Sequence, residues 1–197
     1  GAYGDDNFGS NSGSAYIYHF DGSSWIEEIK LIPSDGSSDD RFGFSVSIDG
    51  ETAVVGAYRD DDNGTHAGSA YIYRFDGSSW IEANKLLAPD GSTNDEFGYS
   101  VSIDGDTVIV GSRLSDNNGT DSGSAYIYRF DGGAWKLLAS DGEEGDEFGG
   151  IVSISGDTAI VGAWSDDDNG YDNGSAYIFD FIDGDETILE REPIENL

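Results

Sequence analysis

Four stretches of this chain carry oxygen-bearing side chains at a density suited to a hard cation, and all four share one layout. Aligned backwards from Gly13, Gly68, Gly123 and Gly174, the first column reads Asp5, Asp60, Ser115 and Asp166, and the second Asp6, Asp61, Asp116 and Asp167. The third reads Asn7, Asp62, Asn117 and Asp168, and the fourth Phe8, Asn63, Asn118 and Asn169. A glycine follows in every copy (Gly9, Gly64, Gly119, Gly170), and two residues later come Asn11, His66, Asp121 and Asp172. Ca²⁺ needs roughly six to eight converging oxygens, and a glycine lets the backbone bend around it. The same residues also make turns without any ion, because Asp and Asn side chains bond their own backbone. Both readings stand for these loops. The stretch from Asp166 to Asp172, with four aspartates, is the strongest cation candidate; Ser115 to Asp121 is weaker because a serine replaces the first acid.

Aromatic residues offer a second chemistry. Tyr58 and Trp164 share a column with Tyr3 and Arg113, just before the acidic loops. Rings beside Asp and Asn can stack on sugars while the polar groups bond hydroxyls; equally, they can cap a core. Catalysis is not expected, since it needs singular groups in mutual reach, whereas nearly every polar residue here recurs at a fixed place. His19 and His66 fall at different repeat positions, and His19 shares a column with Arg74, Arg129 and Asp180, as a rim residue would. The triplets beginning at Asn63, Asn118 and Asn173 fit the N-glycosylation pattern, which chance also supplies in a chain this rich in Asn, Ser and Thr.

Composition limits the partners. The 197 residues carry 40 acids against 9 lysines and arginines, a formal charge of −31 that opposes phosphate backbones and anionic lipid heads. Nucleic acid and membrane insertion are not expected: no apolar run approaches the ~20 residues that span a bilayer. Residues 1–20 lack a signal-peptide pattern, so any export signal is expected to lie outside this segment. Without cysteine there is neither a disulfide framework nor a thiolate metal site. At 13% aromatic residues the chain can still build a core, which argues against disorder. Such an acidic surface suits cation-rich surroundings outside the cell, where screening relieves its self-repulsion.

The elements that must position these residues come from a repeat. The string GSAYI begins at residues 13, 68, 123 and 174, and Phe-Gly at 42, 97 and 148; the shortened spacing reflects four residues lost where SSWIEANKLLA becomes GAWKLLA at 133–139. Units run 42–96, 97–147 and 148–197, with a partial unit at 1–41. In one unit, residues 45–48 alternate polar and apolar, Asp49-Gly50 turns the chain, and 52–55 are small and β-branched. After the acidic loop, 70–75 read as a strand apolar on both faces. Residues 80–87 admit a helical reading. Their β-branched first copy, Trp25 to Ile32, and the deletion in the third copy favour an outer strand. Trp25, Trp80 and Trp135 are expected to share one core column. Hairpin-joined strands that are buried on both faces predict an all-β fold of stacked sheets: a β-propeller of four-stranded antiparallel blades, with about three and a half blades present.

The pattern Phe-Gly-x-Ser-Val-Ser-Ile to Gly56-Ala57, Gly111-Ser112 and Gly162-Ala163, then an Asp/Asn-rich loop and GSAYI, resembles the FG-GAP repeat. That family builds the propeller of integrin α-chains and of many prokaryotic surface and secreted proteins. The resemblance implies a propeller that serves adhesion or ligand recognition, often with bound calcium. The family's own calcium loop lies after the Phe-Gly strand; here that connection is only Asp49-Gly50-Glu51 and its equivalents, too short to wrap a cation. The expectation is therefore a non-enzymatic module, secreted or on the cell surface, with Ca²⁺ in its Asp/Asn loops. Its loop face would meet a protein or glycan ligand. A structural, self-assembling role through unpaired edges at residues 1–20 and 186–197 is the alternative.

Overall fold

A computed structural model describes residues 1–168, 173–181 and 188–191. The described residues contain strands and turns and no helix long and apolar enough to cross a membrane. A two-stranded sheet pairs β1 (Ala15–Phe20) with β2 (Trp25–Leu31). Three four-stranded antiparallel sheets follow in simple up-and-down order. The first contains β3 (Val46–Asp49), β4 (Thr52–Ala57), β5 (Ser69–Phe75) and β6 (Trp80–Leu86). The second contains β7 (Phe97–Asp104), β8 (Thr107–Ser112), β9 (Ser124–Arg129) and β10 (Ala134–Leu137). The third contains β11 (Phe148–Ser155), β12 (Thr158–Ala163), β13 (Ser175–Phe181) and β14 (Ile188–Glu190). These are propeller blades, and their stack is not closed into a ring. The stretch 80–87 is an outer strand, paired along β5 from Ala70↔Leu86 to Phe75↔Trp80. The last sheet includes a paired strand at Ile188–Glu190, where the sequence leaves open a strand or a tail; residues 182–187 and 192–197 lie outside the described residues.

Each core cluster belongs to a joint between blades rather than to one blade. Ala15, Ile17 and Leu31 pack with Phe42, Val55, Tyr71 and Tyr73 of the next blade. Val54 and Ile72 pack with Phe97, Val101, Ile103 and Val108, and Ile109 and Ile127 with Phe148, Val152, Ile154 and Val161. Alternate residues of one strand therefore face two different neighbours, which is why these strands are apolar on both sides. The serines of SVSI reach across the same joints. Ser45 and Ser47 hydroxyls accept the amides of Val101 and Ile103 at 3.0 and 3.2 Å, and Ser100 and Ser102 repeat the pattern on Val152 and Ile154.

The Phe-Gly signature has a steric origin. A Cβ on Gly56 would lie 2.0 Å from the Gly98 carbonyl oxygen of the next blade, and a Cβ on Gly98, at φ +88°, would lie 2.1 Å from that of Ser69. Only glycine lets the two backbones approach this closely. The preceding Phe97 is fully buried, its ring edge-on to Tyr126 and Tyr128.

The tryptophan column is overturned. Trp25 is 70% exposed, at the uncovered end of the two-stranded sheet, where its ring meets Phe20. Trp80 packs partly against the first joint. Trp135 leaves the column altogether: it pairs with Ile127, as Asn84 pairs with Ile72, and packs against the joint on the other side. The four-residue loss shifts it by changing the side of the strand on which it emerges.

Candidate functional site: acidic loops and an aromatic–arginine belt

The first loop column lies at the blade joints. Asp60 is 3% and Asp166 2% exposed, at the bases of their loops. The hydroxyl of Tyr71 lies 2.9 Å from Asp60 and 2.8 Å from Asp35 of the preceding unit, joining the two units through one phenol. Tyr177 does the same with Asp166 and Asp141, both at 2.8 Å. In the second blade Ser115 replaces the first acid and bonds Ser124, leaving Tyr126 on Asp90 alone at 2.8 Å. The tyrosine is that of GSAYI, and the second carboxylate (Asp35, Asp90, Asp141) belongs to an Asp-Gly turn that sequence reasoning passed over; its constant distance from the tyrosine, 36 residues, was the available signal.

A lysine completes the first blade's joint. Lys85 Nζ reaches Asp35, Asp60 and Asp62 at 2.9, 2.8 and 2.6 Å. Burial opposes its charge, but the hydrogen bonds to Asp60, Asp62 and Asp35 outweigh that and raise its pKa. Lys30 sits likewise 3.0 Å from Asp5, whose carboxyl is lowered to about 2 by hydrogen bonds from Ser14, Lys30 and Tyr16. The second column closes the loops: Asp6, Asp61 and Asp116 accept the amides of Asn11, His66 and Asp121 at 2.8, 2.7 and 2.9 Å. The three donor residues, Asn11, His66 and Asp121, have φ near +50 to +55°. Asn63 and Asn118 donate their side-chain amides to the Ala88 and Ala139 carbonyls, so the nitrogens of two of the three glycosylation-type triplets are engaged.

The loops beginning at Asp5, Asp60 and Ser115 have their carboxylates engaged within the protein. Their carboxylates are directed to phenols, ammonium groups and backbone amides, and among the described residues no group of three or more acids or histidines can hold a metal. The loop after Asp166 differs. The charge on Asp166 raises the pKa of Asp168, and no lysine faces either carboxylate among the described residues. Asn169 and Asp172 of the candidate set lie outside the described residues.

The aromatic column is drawn into a belt that the sequence did not reveal. Phe44 and Tyr99, two residues after the two phenylalanines of Phe-Gly, fill the gaps between the rings at the strand ends. Ring centroids run from Tyr3 to Phe44 at 5.5 Å, Phe44 to Tyr58 at 4.6 Å, Tyr58 to Tyr99 at 5.3 Å and Tyr99 to Trp164 at 5.9 Å. Three of the six arginines cover these rings: Arg41 over Tyr3, Arg59 over Tyr58, and Arg113 over Tyr99 at 4.2 Å and Trp164 at 5.7 Å. Arg113 is held by Glu96 and Glu147, both at 2.8 Å, and the Trp164 indole donates to Glu147 at 2.6 Å. Tyr58 itself is only 7% exposed, so it supports the belt and offers no open face for a sugar. Tyr3 and Trp164, at 44% and 41%, are the exposed ends.

A family model described as FG-GAP repeat matches residues 25–73, 80–128 and 134–179. Each matched stretch starts in the outer strand of one blade and ends in the third strand of the next, so it spans a joint. No curated protein matches the chain. The three matched stretches, the blades and the glycine-tight joints agree, and the chain belongs to the FG-GAP repeat family.

Proposed function

We propose that this chain is a non-catalytic recognition module, displayed outside the cell, that meets a glycan or protein partner through the aromatic–arginine belt and the acidic loops beside it. The observation that carries this reading is the continuous line of rings ending in two exposed aromatics, Tyr3 and Trp164, flanked by carboxylates. An exposed ring held rigid by an arginine and neighbouring rings loses little entropy on stacking, and carboxylates nearby can accept sugar hydroxyls. Support for a non-enzymatic role comes from the recurrence of the polar groups as joint and turn residues, and from His19, which is exposed and 3.7 Å from Glu28 as a rim residue would be.

Calcium dependence belongs, in this reading, to the loop starting at Asp166. The raised pKa of Asp168 reflects carboxylate repulsion that a divalent cation would relieve, whereas Lys30 and Lys85 supply a positive charge in the corresponding places of the first two copies. One experiment tests both statements: the labelled chain and its Trp164→Ala variant are applied to a glycan array, with calcium and with chelator. Binding that falls about tenfold in the variant supports the belt. An array without a single bound glycan, or equal binding by both proteins, ends the glycan version. Signals and calorimetric heats unchanged by calcium end the calcium version.

A further inference from the structure

In three of the four sheets the outer strand places a glutamate opposite a fixed position of its partner strand: Glu27 opposite Tyr18, Glu82 opposite Tyr73, and Glu190 opposite Phe179. At two joints this glutamate clasps the preceding unit. Glu82 accepts the Ser34 amide and hydroxyl, both at 2.8 Å, and lies 3.2 Å from the Tyr73 hydroxyl. Glu190 accepts the Ser140 hydroxyl at 2.9 Å. The joint between the first and second full blades has neither half of the clasp. The four-residue loss puts Ala134 opposite Tyr128, and Pro89 stands where Ser34 and Ser140 stand elsewhere. Alanine cannot reach across, and proline has no amide hydrogen to offer.

What remains is a cavity of about 280 Å³, lined by Pro89, Asp90, Tyr126, Tyr128, Ala134, Trp135 and Lys136. Its walls are largely apolar, with the Tyr128 hydroxyl turned away toward the Leu87 carbonyl at 3.0 Å. Its polar end is Lys136. Where Lys85 contacts three carboxylates, Lys136 contacts one among the described residues, Asp90 at 2.6 Å, because Ser115 and Asn117 replace Asp60 and Asp62. Relative to the neighbouring joint, three carboxylates are gone, Glu82 included, while the ammonium stays. An apolar slot closed by an ammonium that contacts one carboxylate, where its counterpart Lys85 contacts three, suits a six-membered ring bearing one carboxylate. The distant acids of the molecule oppose an anion only weakly at physiological ionic strength, where the screening length is about 8 Å.

We propose that this joint is a binding pocket for a small six-membered ring carrying a carboxylate, with the ring between Pro89, Tyr128 and Ala134 and the carboxylate on Lys136. Such a group occurs as the uronic acid of an acidic polysaccharide or as a simple aromatic acid. Calorimetric titration of the full chain with D-glucuronate, with benzoate and with glucose separates the possibilities. Binding of glucuronate alone assigns the sugar acid, and of benzoate alone the aromatic acid. Glucose binding as well as glucuronate overturns the role of the carboxylate, and no heat from either acid overturns the pocket. Ala134→Glu, alone and together with Pro89→Ser, rebuilds the clasp of the adjacent joint and fills the cavity. Both variants are expected to melt at or above the temperature of the parent and to weaken binding at least about tenfold. Lys136→Gln is expected to weaken the acids similarly. Retention of parent affinity by the folded Ala134→Glu protein overturns the assignment.

Discussion

A single buried aspartate shows how the acid of this chain is distributed between solvent and joints. Asp40 is 4% exposed and accepts the Ser37 amide; burial pushes its carboxyl from the ordinary 3.8 up to about 6. Asp95 and Asp146 occupy the same repeat position, accept the amides of Ser92 and Glu143, and are raised by burial as well. A carboxyl with a raised folded-state pKa holds a proton that the unfolded chain has released. Its contribution is therefore fully favourable below about pH 4 and is lost as pH rises through about 6. We expect Asp40→Asn to match the parent at pH 4 and to exceed its stability by about 1–2 kcal/mol at pH 7, since the amide keeps the acceptor and removes the buried charge. Denaturant melts at the two pH values check this; equal stabilities at both would mean that the folded protein holds Asp40 comfortably as a carboxylate. At this same scale the acidic columns were legible as residues, but their roles were not. The sequence shows that Asp60 recurs; it does not show that a phenol 11 residues away and an ammonium 25 residues away converge on it.

At the scale of the strand and its joint, backbone proximity decides what is tolerated. Gly111 repeats the contact of Gly56: a Cβ there would lie 1.9 Å from the Gly149 carbonyl oxygen. Neither backbone can withdraw without opening the joint of Ile109, Ile127, Phe148 and Val161. Gly111→Ala is thus expected to cost at least about 3 kcal/mol, while Gly162→Ala, whose Cβ would meet nothing nearer than Ile151 at 3.7 Å, costs less than about 1 kcal/mol. Thermal unfolding of the two variants compares them directly, and equal losses would remove close approach as the reason for the glycine. Strand identity, hairpin turns and the outer strand at 80–86 were legible because period-2 alternation and turn residues are local signals. The place of Trp135 was not, because register is set by the partner strand: aligning the tryptophans by type gave a column that pairing with Ile127 dissolves.

For the whole molecule, the decisive fact is that blade faces are complementary in order along the chain. The face of the third blade that corresponds to Val54 and Ile72 is uncovered: Ile151 is 61%, Ile160 43% and Leu189 51% exposed. Toward the other end, Val46 and Ile48 are 48% and 55% exposed, whereas their equivalents Val101, Ile103, Val152 and Ile154 are buried by the inner strands of a preceding blade. Apolar faces of this kind favour association. We expect the chain to self-associate with increasing concentration and Ile160→Asp to shift it toward the monomer, as sedimentation velocity would report. A monomer that persists at millimolar concentration, with no effect of the substitution, would set aside the self-assembling role.

Sequence alone determined the repeat, the four-stranded unit, the all-β class and the family, since these rest on spacing and local alternation that survive without any knowledge of neighbours. It also placed the acidic loops and the aromatic column of Tyr3, Tyr58 and Trp164 in advance. Only the tertiary structure decided what those residues touch: Asp60 lies within a joint, Tyr58 beneath the belt, and Ala134 and Pro89 around a cavity. The physical reason is that each joint is built from two units about 55 residues apart, so the partner of a side chain is fixed by stacking between sheets and not by its neighbours in the chain.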